Sequence, residues 1–393
     1  DNTAVGKSAL AANTTGAYNT AVGDSSLDAN TTGTQNTAVG RTALTSNTTG
    51  DSNTAVGYDA LSTNTTADNN TALGYKSLEA NSTGHSNVAV GKDALADNTT
   101  GNCNTSVGYQ ALDANTTAPD NTAVGWQALT ANTTGAGNTA IGYNLLSTNT
   151  TGNYNVAVGP YALLSNTIGD SNVGIGYQAL DACTEGEKNT AVGREALTDL
   201  TTGTSNTALG FEALESVTTG AYNIGIGFMA GKDDPLTGNA CISIGAFSKP
   251  GNGSTSTHQL VLGYGVNGSG DDTFTFGDGG TDTTCSFGST SWSNPSDERM
   301  KEEVTTGTAG LSFINDLRPV TFKWKLQKDI PDTLKVHRAD EEVDGVNEGL
   351  KRYKNDYTNH GFIAQEVKTV IDAHPEIKDG FEMWGEDASD GKQ

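Results

Sequence analysis

At multiples of 17 residues an aromatic side chain follows a Val-Gly, Leu-Gly or Ile-Gly pair: Tyr58, Tyr75, Tyr109, Trp126, Tyr143, Tyr177, Phe211 and Phe228. Lys7, Asp24, Arg41 and Pro160 hold the same position in other copies. Such a row can grip a sugar, or it can pack between chains. The triplet Asn-Thr-Thr, as at Asn13, Asn30 and Asn47, matches the N-glycosylation sequon, but a repeat that needs these residues for its own fold generates the same triplet. Asp271, Asp272, Asp278 and Asp282 supply carboxylates of the kind Ca²⁺ takes, or form a solvated loop. Cys103, Cys183, Cys241 and Cys285 lie far apart, with neither Cys-x-x-Cys nor Cys/His metal spacing. They read as small apolar fillers suited to a reducing cytosol, and no metal or other cofactor is expected. Ser296, with Asp297 and Glu298 behind it, reads as the N-cap and acidic first turn of a helix.

Most of these positions sit on one repeat. Asn2, Asn19, Asn36 and their successors to Asn223 recur every 17 residues without a slip, each opening a stretch like Asn-Thr-Ala-Val-Gly. A second block, Ala-Leu-x-x-Asn-Thr-Thr-Gly, keeps Leu10, Leu27, Leu44 and their successors to Leu214 in the same register. A unit this short cannot hold a core alone, so the repeats must stack and bury one another's apolar positions. The Val, Ile or Leu before each Gly and the later Leu are expected to face that core, with Ala filling the narrow places. Gly permits positive φ or close backbone approach where the coil turns. Asn in equivalent sites is expected to form an amide ladder from coil to coil. A strand of roughly five residues fits better than a helix, because no 3.6-residue apolar period is present; a helical turn in the Ala-Leu block stays open. About fifteen self-coiled turns at ~4.8 Å would make a rod of roughly 70 Å. The spacing leaves open whether each chain coils on itself or three chains wind together. The register weakens at Cys183, Leu200 and Val217, and Cys241-Ile-Ser-Ile-Gly245 arrives one residue late. The expected organisation is a repeat shaft over 1–245, a Gly/Ser/Asp-rich β neck over 246–295 and a separate domain over 296–393.

Composition narrows the function. Hydrophobic residues make up 34% and charged residues 17% of the chain, too little for one large aliphatic core. Residues 1–295 carry 8 Lys/Arg against 25 Asp/Glu, and 296–393 carry 14 against 21. Neither part is basic, which argues against nucleic acid or an anionic membrane as partner. No apolar run approaches the ~20 residues that span a bilayer, and the N-terminus has no signal-peptide pattern. Because Asp1 is not an initiator Met, the sequence reads as a fragment or processed piece.

From Ser293 onward the charge density rises and amphipathic patterns replace the coils. Asn294-Pro295-Ser296-Asp297-Glu298-Arg299-Met300-Lys301 resembles the Ser-Asp-x-Arg-x-Lys signature of endosialidase-type intramolecular chaperone auto-processing domains. Two further blocks follow in order, Ile314-Asn315-Asp316-Leu317-Arg318-Pro319-Val320-Thr321-Phe322-Lys323-Trp324 and His360-Gly361-Phe362-Ile363-Ala364-Gln365-Glu366-Val367. The polar segment Lys325–Asn359 between them reads as an exposed arm. The shaft pattern resembles repeats of phage tail fibres and, more loosely, the β-roll heads of trimeric autotransporter adhesins. The resemblance implies a small α+β domain that trimerises, drives folding of the fibre ahead of it and cuts itself off through a Ser/Lys dyad. It places the nucleophile on Ser296 and the general base on Lys301; Asp297 is a motif residue without an assigned role. A Ser hydroxyl attacks only when a base takes its proton, and Lys serves only if desolvation leaves its amine neutral. Five residues apart on one helix, the two side chains would point about 140° apart, so Ser296 must precede the helix or the dyad must form between chains.

The expected fold is therefore mainly β: a homotrimeric β-solenoid or triple-β fibre with a small α+β chaperone domain. The expected partners are two further copies of the chain, the rest of a virion fibre and a host surface glycan or protein receptor, with assembly in the host cytoplasm and action outside it. Two rivals are a bacterial trimeric surface adhesin and a polysaccharide-cutting tailspike. The latter needs two placed carboxylates in an irregular cleft, and the regular coils offer no insertion to build one.

Overall fold

The computed structural model describes residues 1–232, 237–251, 253–280 and 282–288, together with 316–317, 319–322, 359–361, 367, 369–370 and 373. Two compact units are present, Asp1–Pro295 and Ser296–Gln393. The first is a β-solenoid in which a single chain coils on itself. Each turn contributes one short strand, from Thr3–Val5 through Thr20–Val22 and onward to Thr273–Gly277, and each pairs in parallel with the strand of the next turn. Thr105 lies opposite Thr122 and Val107 opposite Val124, so sequence equivalents stack on one another. This pairing within one chain decides against three intertwined chains. The ladder continues past residue 245 through Leu260–Gly263 and Thr273–Gly277, and Thr283–Ser286 closes it with an antiparallel partner. In the second unit, Val320–Phe322 pairs antiparallel with Asn359–Gly361, joining the second and third C-terminal motif blocks. Among the described residues no helix is long and apolar enough to cross a membrane.

The interior differs from the expected one. Strand residues alternate between faces, and here the middle residue points inward. Ala21, Ala38, Ala55 and their equivalents are therefore fully buried, together with the later Ala-Leu pairs such as Ala43-Leu44. The Val or Leu before each Gly points outward instead, and Leu73 and Leu209 remain nearly half exposed. From Thr3–Val5 to Ile242–Ile244 the inward residue is always small, Ala, Gly or Ser, and Val261 takes the place only in Leu260–Gly263. Where Gly225 replaces the strand Ala, a Cβ would sit only 2.6 Å from Leu214 Cγ.

The Ala-Leu block contains turns, because two of its residues adopt left-handed backbone. Gln110 and Leu112 have φ of 50° and 54°, and this pair of left-handed positions recurs coil after coil. For a γ-branched residue that conformation costs about 1–2 kcal/mol. It also aims the Leu112 N–H at the Ala128 carbonyl of the next coil (2.9 Å) and the side chain into the core. Full burial of Leu contributes about 2–3 kcal/mol, enough to hold the strained turn. Where each strand ends, the backbones of successive coils touch. A Cβ at Gly57, whose φ is +143°, would lie 2.2 Å from the Gly74 carbonyl oxygen, so only Gly fits.

Two columns of Asn side chains tie the coils together. In the first, the Asn104 backbone N–H donates to Asn87 Oδ1 (2.9 Å), Asn104 Nδ2 donates to the Ala118 carbonyl (2.9 Å), and Asn104 Oδ1 accepts from the Asn121 N–H (2.9 Å). One side chain thus links its own coil to the next, and its backbone to the one before. In the second column, Asn98 Nδ2 donates to Asn81 Oδ1 (2.8 Å) and to the Gly101 carbonyl (3.0 Å), while Asn98 Oδ1 accepts from Asn115 Nδ2 (2.9 Å). This second ladder ends where Cys183, Leu200 and Val217 take over the position, leaving the buried Asn166 Oδ1 without a hydrogen-bond partner.

Among the acids, Asp113 is half buried beside Asp97 and Asp93. Burial first, and then these two charges, push its carboxyl up to about 6, against the opposing pull of Lys92.

Two stability predictions arise. Replacing Asn98 by Leu in mid-ladder strips Asn81 Oδ1 of its donor and deprives Asn115 Nδ2 of an acceptor. It should cost about 2–4 kcal/mol. Asn166→Leu should cost less, because Asn166 Oδ1 already lacks a partner; denaturant unfolding monitored by circular dichroism compares the two. For Asp113, a folded pKa above the unfolded value means that stability is highest below about pH 4 and falls as the pH rises to about 6. Asp113→Asn should therefore be more stable than the parent at pH 7, by about 1 kcal/mol once solvent screening is allowed for, with the advantage gone at pH 4.

Candidate functional site

The aromatic row of the sequence becomes a column on the outside of the solenoid, at the exit of each strand. One rung separates neighbouring rings, so they stack. Tyr58 and Tyr75 lie 5.4 Å apart and 10° from parallel, and Trp126 and Tyr143 lie 4.9 Å apart and 8° from parallel. Tyr109 joins this stack below Trp126, and Phe211 and Phe228 form another. Where Pro160 interrupts, Tyr161 fills the gap edge-on against Tyr143 and Tyr177. Where a cation interrupts, it stands over the rings on either side. Lys92 Nζ is 5.6 Å from the Tyr75 centroid and 5.2 Å from that of Tyr109, and the Arg194 guanidinium is 5.8 Å from Tyr177 and 5.1 Å from Phe211. The hydrogen bond to Asp93 raises the Lys92 pKa, which keeps the intercalated amine charged.

A sugar binds an aromatic side chain through the ring face, where its C–H groups meet the π cloud. In the stacked runs those faces are covered by the next ring or by a cation, and what points outward is ring edge and phenol hydroxyl. The rings thus pack on one another and on the cations within a single chain, along the column.

The other candidate positions are structural. Asn30 and Asn47 of the sequon triplets are fully buried, with Nδ2 donating to the neighbouring Asn and to the carbonyl of Gly33 or Gly50. A glycan on either would require dismantling the ladder. The acids near residue 275 are engaged separately: Asp271 Oδ1 accepts from the Thr257 N–H (2.9 Å), Asp278 Oδ1 from the Gly280 N–H (3.2 Å) and Asp282 Oδ1 from the Gly279 N–H (3.0 Å). Asp272 lies 3.6 Å from His258 Nδ1. Among the described residues no three such groups gather where they could hold a metal ion. Cys183 is enclosed in the core, where burial pushes its thiol up to about 11, and burial likewise raises that of Cys241; neither is poised to react. Cys103 is exposed.

Ser296, Asp297 and Lys301 lie outside the described residues, as do residues 323–358 and so nearly all of the polar arm. One functional feature was missed from sequence, the outward placement of the strand Val column. The signal that could have found it was strand alternation itself, since an inward Ala forces its neighbours out.

Residues 296–374 match the family model described as the chaperone of endosialidase. No curated protein and no solved structure matches the chain. The chain thus joins a self-coiled β-solenoid of 17-residue turns to a segment that matches the model of the chaperone of endosialidase, a combination that fits a phage fibre with a chaperone domain.

Proposed function

We propose that this protein is the distal part of a homotrimeric phage tail fibre, whose C-terminal domain aligns three chains for folding and then severs itself from the shaft near Ser296. The observation that carries this reading is the pairing of a repetitive solenoid with a segment of the chaperone family. Most coils present the same Asn, Gly and Leu contacts, so two chains displaced by 17 residues would meet almost the same surface. A domain that gathers three C-termini at one level removes that ambiguity before the coils close.

For the cleavage, Ser296 Oγ attacks a backbone carbonyl near the domain boundary while the neutral Lys301 amine takes the hydroxyl proton. That proton passes to the departing amide nitrogen as the peptide bond breaks, and water then hydrolyses the ester left on Ser296. Lys301 must be desolvated to be neutral near pH 7, and a subunit interface can provide this. Released from its chaperone, the shaft would serve on the virion as a stiff rod, with its exposed variable positions available to a host glycan or protein receptor.

Sedimentation of the assembled protein at micromolar concentration should give a single parallel trimer, and a stable monomer would reject the reading. Denaturing mass spectrometry of the wild type should show a shaft fragment of about 295 residues and a C-terminal fragment of about 98. Ser296→Ala and Lys301→Ala should each stay full length yet still trimerise. A helix cap alone predicts a loss of only ~1 kcal/mol and no change in fragment pattern. Cleavage in Ser296→Ala equal to that of the wild type would remove the dyad from consideration.

A further inference from the structure

We infer that the outward face of the solenoid sheet is the contact between copies of this chain, with three such faces turned toward a common axis. The inference rests on the homotrimer proposed above and assigns the surface that forms it.

The face consists of three adjacent columns. The first and third residues of each strand point outward, and the aromatic and cation column follows one Gly later. From Thr3–Val5 to Leu260–Gly263, neither outward strand position holds a single Asp, Glu, Lys or Arg. The third position is always aliphatic: Val in most coils, Leu at 73, 209 and 262, Ile at 141, 175, 226 and 244. This is unexpected for the solvent face of a chain with a net charge of −24, because a strand packed on one side normally alternates apolar with polar residues. Exposure is substantial: Ile141 is 43% accessible, Leu209 49% and Trp126 41%. At ~4.8 Å per rung and about 10 Å across, sixteen rungs give a face of roughly 750 Å², its aliphatic column flanked by Thr in ten rungs and by the aromatic and cation column. Its size approaches the ~800 Å² per partner of a stable interface.

The occupant is a second copy because of spacing and charge. Another solenoid of the same rise brings an apolar rung opposite every apolar rung. Asp24 is the one acid in the aromatic column; Asp51, Asp68, Asp97, Asp120, Asp170 and Glu187 lie outside the three columns and would repel their equivalents. The ring edges of the aromatic column suit this role as well, since edges pack against aliphatic side chains without needing a free face.

The test uses the full chain with the exposed Cys103 replaced by Ser. Ile141→Cys and Leu209→Cys place thiols on the proposed contact, and Thr134→Cys and Thr202→Cys place them on the exposed Thr column outside it. Each protein is sedimented and then treated with a short bis-maleimide. The expected result is a trimer in every case, with at least tenfold more covalent multimer from positions 141 and 209 than from 134 and 202. A trimer in which cysteines 141 and 209 stay uncoupled overturns the inference and leaves the homotrimer standing. A monomer throughout overturns both.

Discussion

The fold depends on the Asn side chain, which carries one acceptor and one donor group at short reach. A backbone that turns every few residues cannot satisfy its polar groups through strand pairing alone, and each coil up to Ile242–Ile244 has only three residues of regular strand. Asn19, Asn36 and their equivalents accept the N–H of the next coil and donate to a carbonyl of their own, so a buried amide does the work a second sheet would otherwise do. Asp lacks the donor and would bring a charge into the core, and Gln is longer by a methylene. Because the Oδ1 bonds run between coils, equivalents are held opposite one another along the ladder, and where the coil lengthens to 18 residues Asn223 Oδ1 still accepts the Cys241 N–H (3.0 Å).

That rigidity within a chain creates ambiguity between chains. Contacts that repeat every rung fix the distance between neighbouring coils and carry almost no information about which coil of one chain should meet which coil of another. Irregular features are sparse and concentrate toward the C-terminal end of the solenoid. The second Asn ladder stops at Asn166, the coils from Ile224 and Ile242 lengthen to 18 residues, and the Leu260 coil shortens to 14. A chaperone-family segment immediately beyond that end is where three-chain registration would be of most use.

The outer surface divides by chemistry in the same regular way. One side presents an aliphatic column between a largely Thr column and the aromatic column, all held at rung spacing; most carboxylates lie elsewhere. Cations enter the aromatic column only between rings or at its end, where their charge is offset by the π faces and by acids such as Asp93, Glu195 and Asp24. The column therefore remains continuous without being uniformly aromatic, and its stability is shared between stacking and cation–π contact.

By itself the sequence determined the repeat length, the stacking of equivalents, the amide ladder, the need for Gly where coils touch, and the change of character near Ser296. All of these follow from periodicity, since residues 17 apart must occupy equivalent places in a stacked array. The three C-terminal motif blocks were legible too, as ordered strings whose chemistry at Ser296 and Lys301 came from resemblance. Only the tertiary structure decided which way each side chain faces. In a strand of three residues a shift of one exchanges core and surface, and both Ala and Val are apolar enough for either. The structure put the small middle residue of the strand inside, against the Leu of the turn, and so turned the Val column outward. It also decided that the chain coils on itself, and that the aromatic rings stack face to face; sequence spacing is the same for a row of free rings and for a closed column, and only the rise per coil distinguishes them.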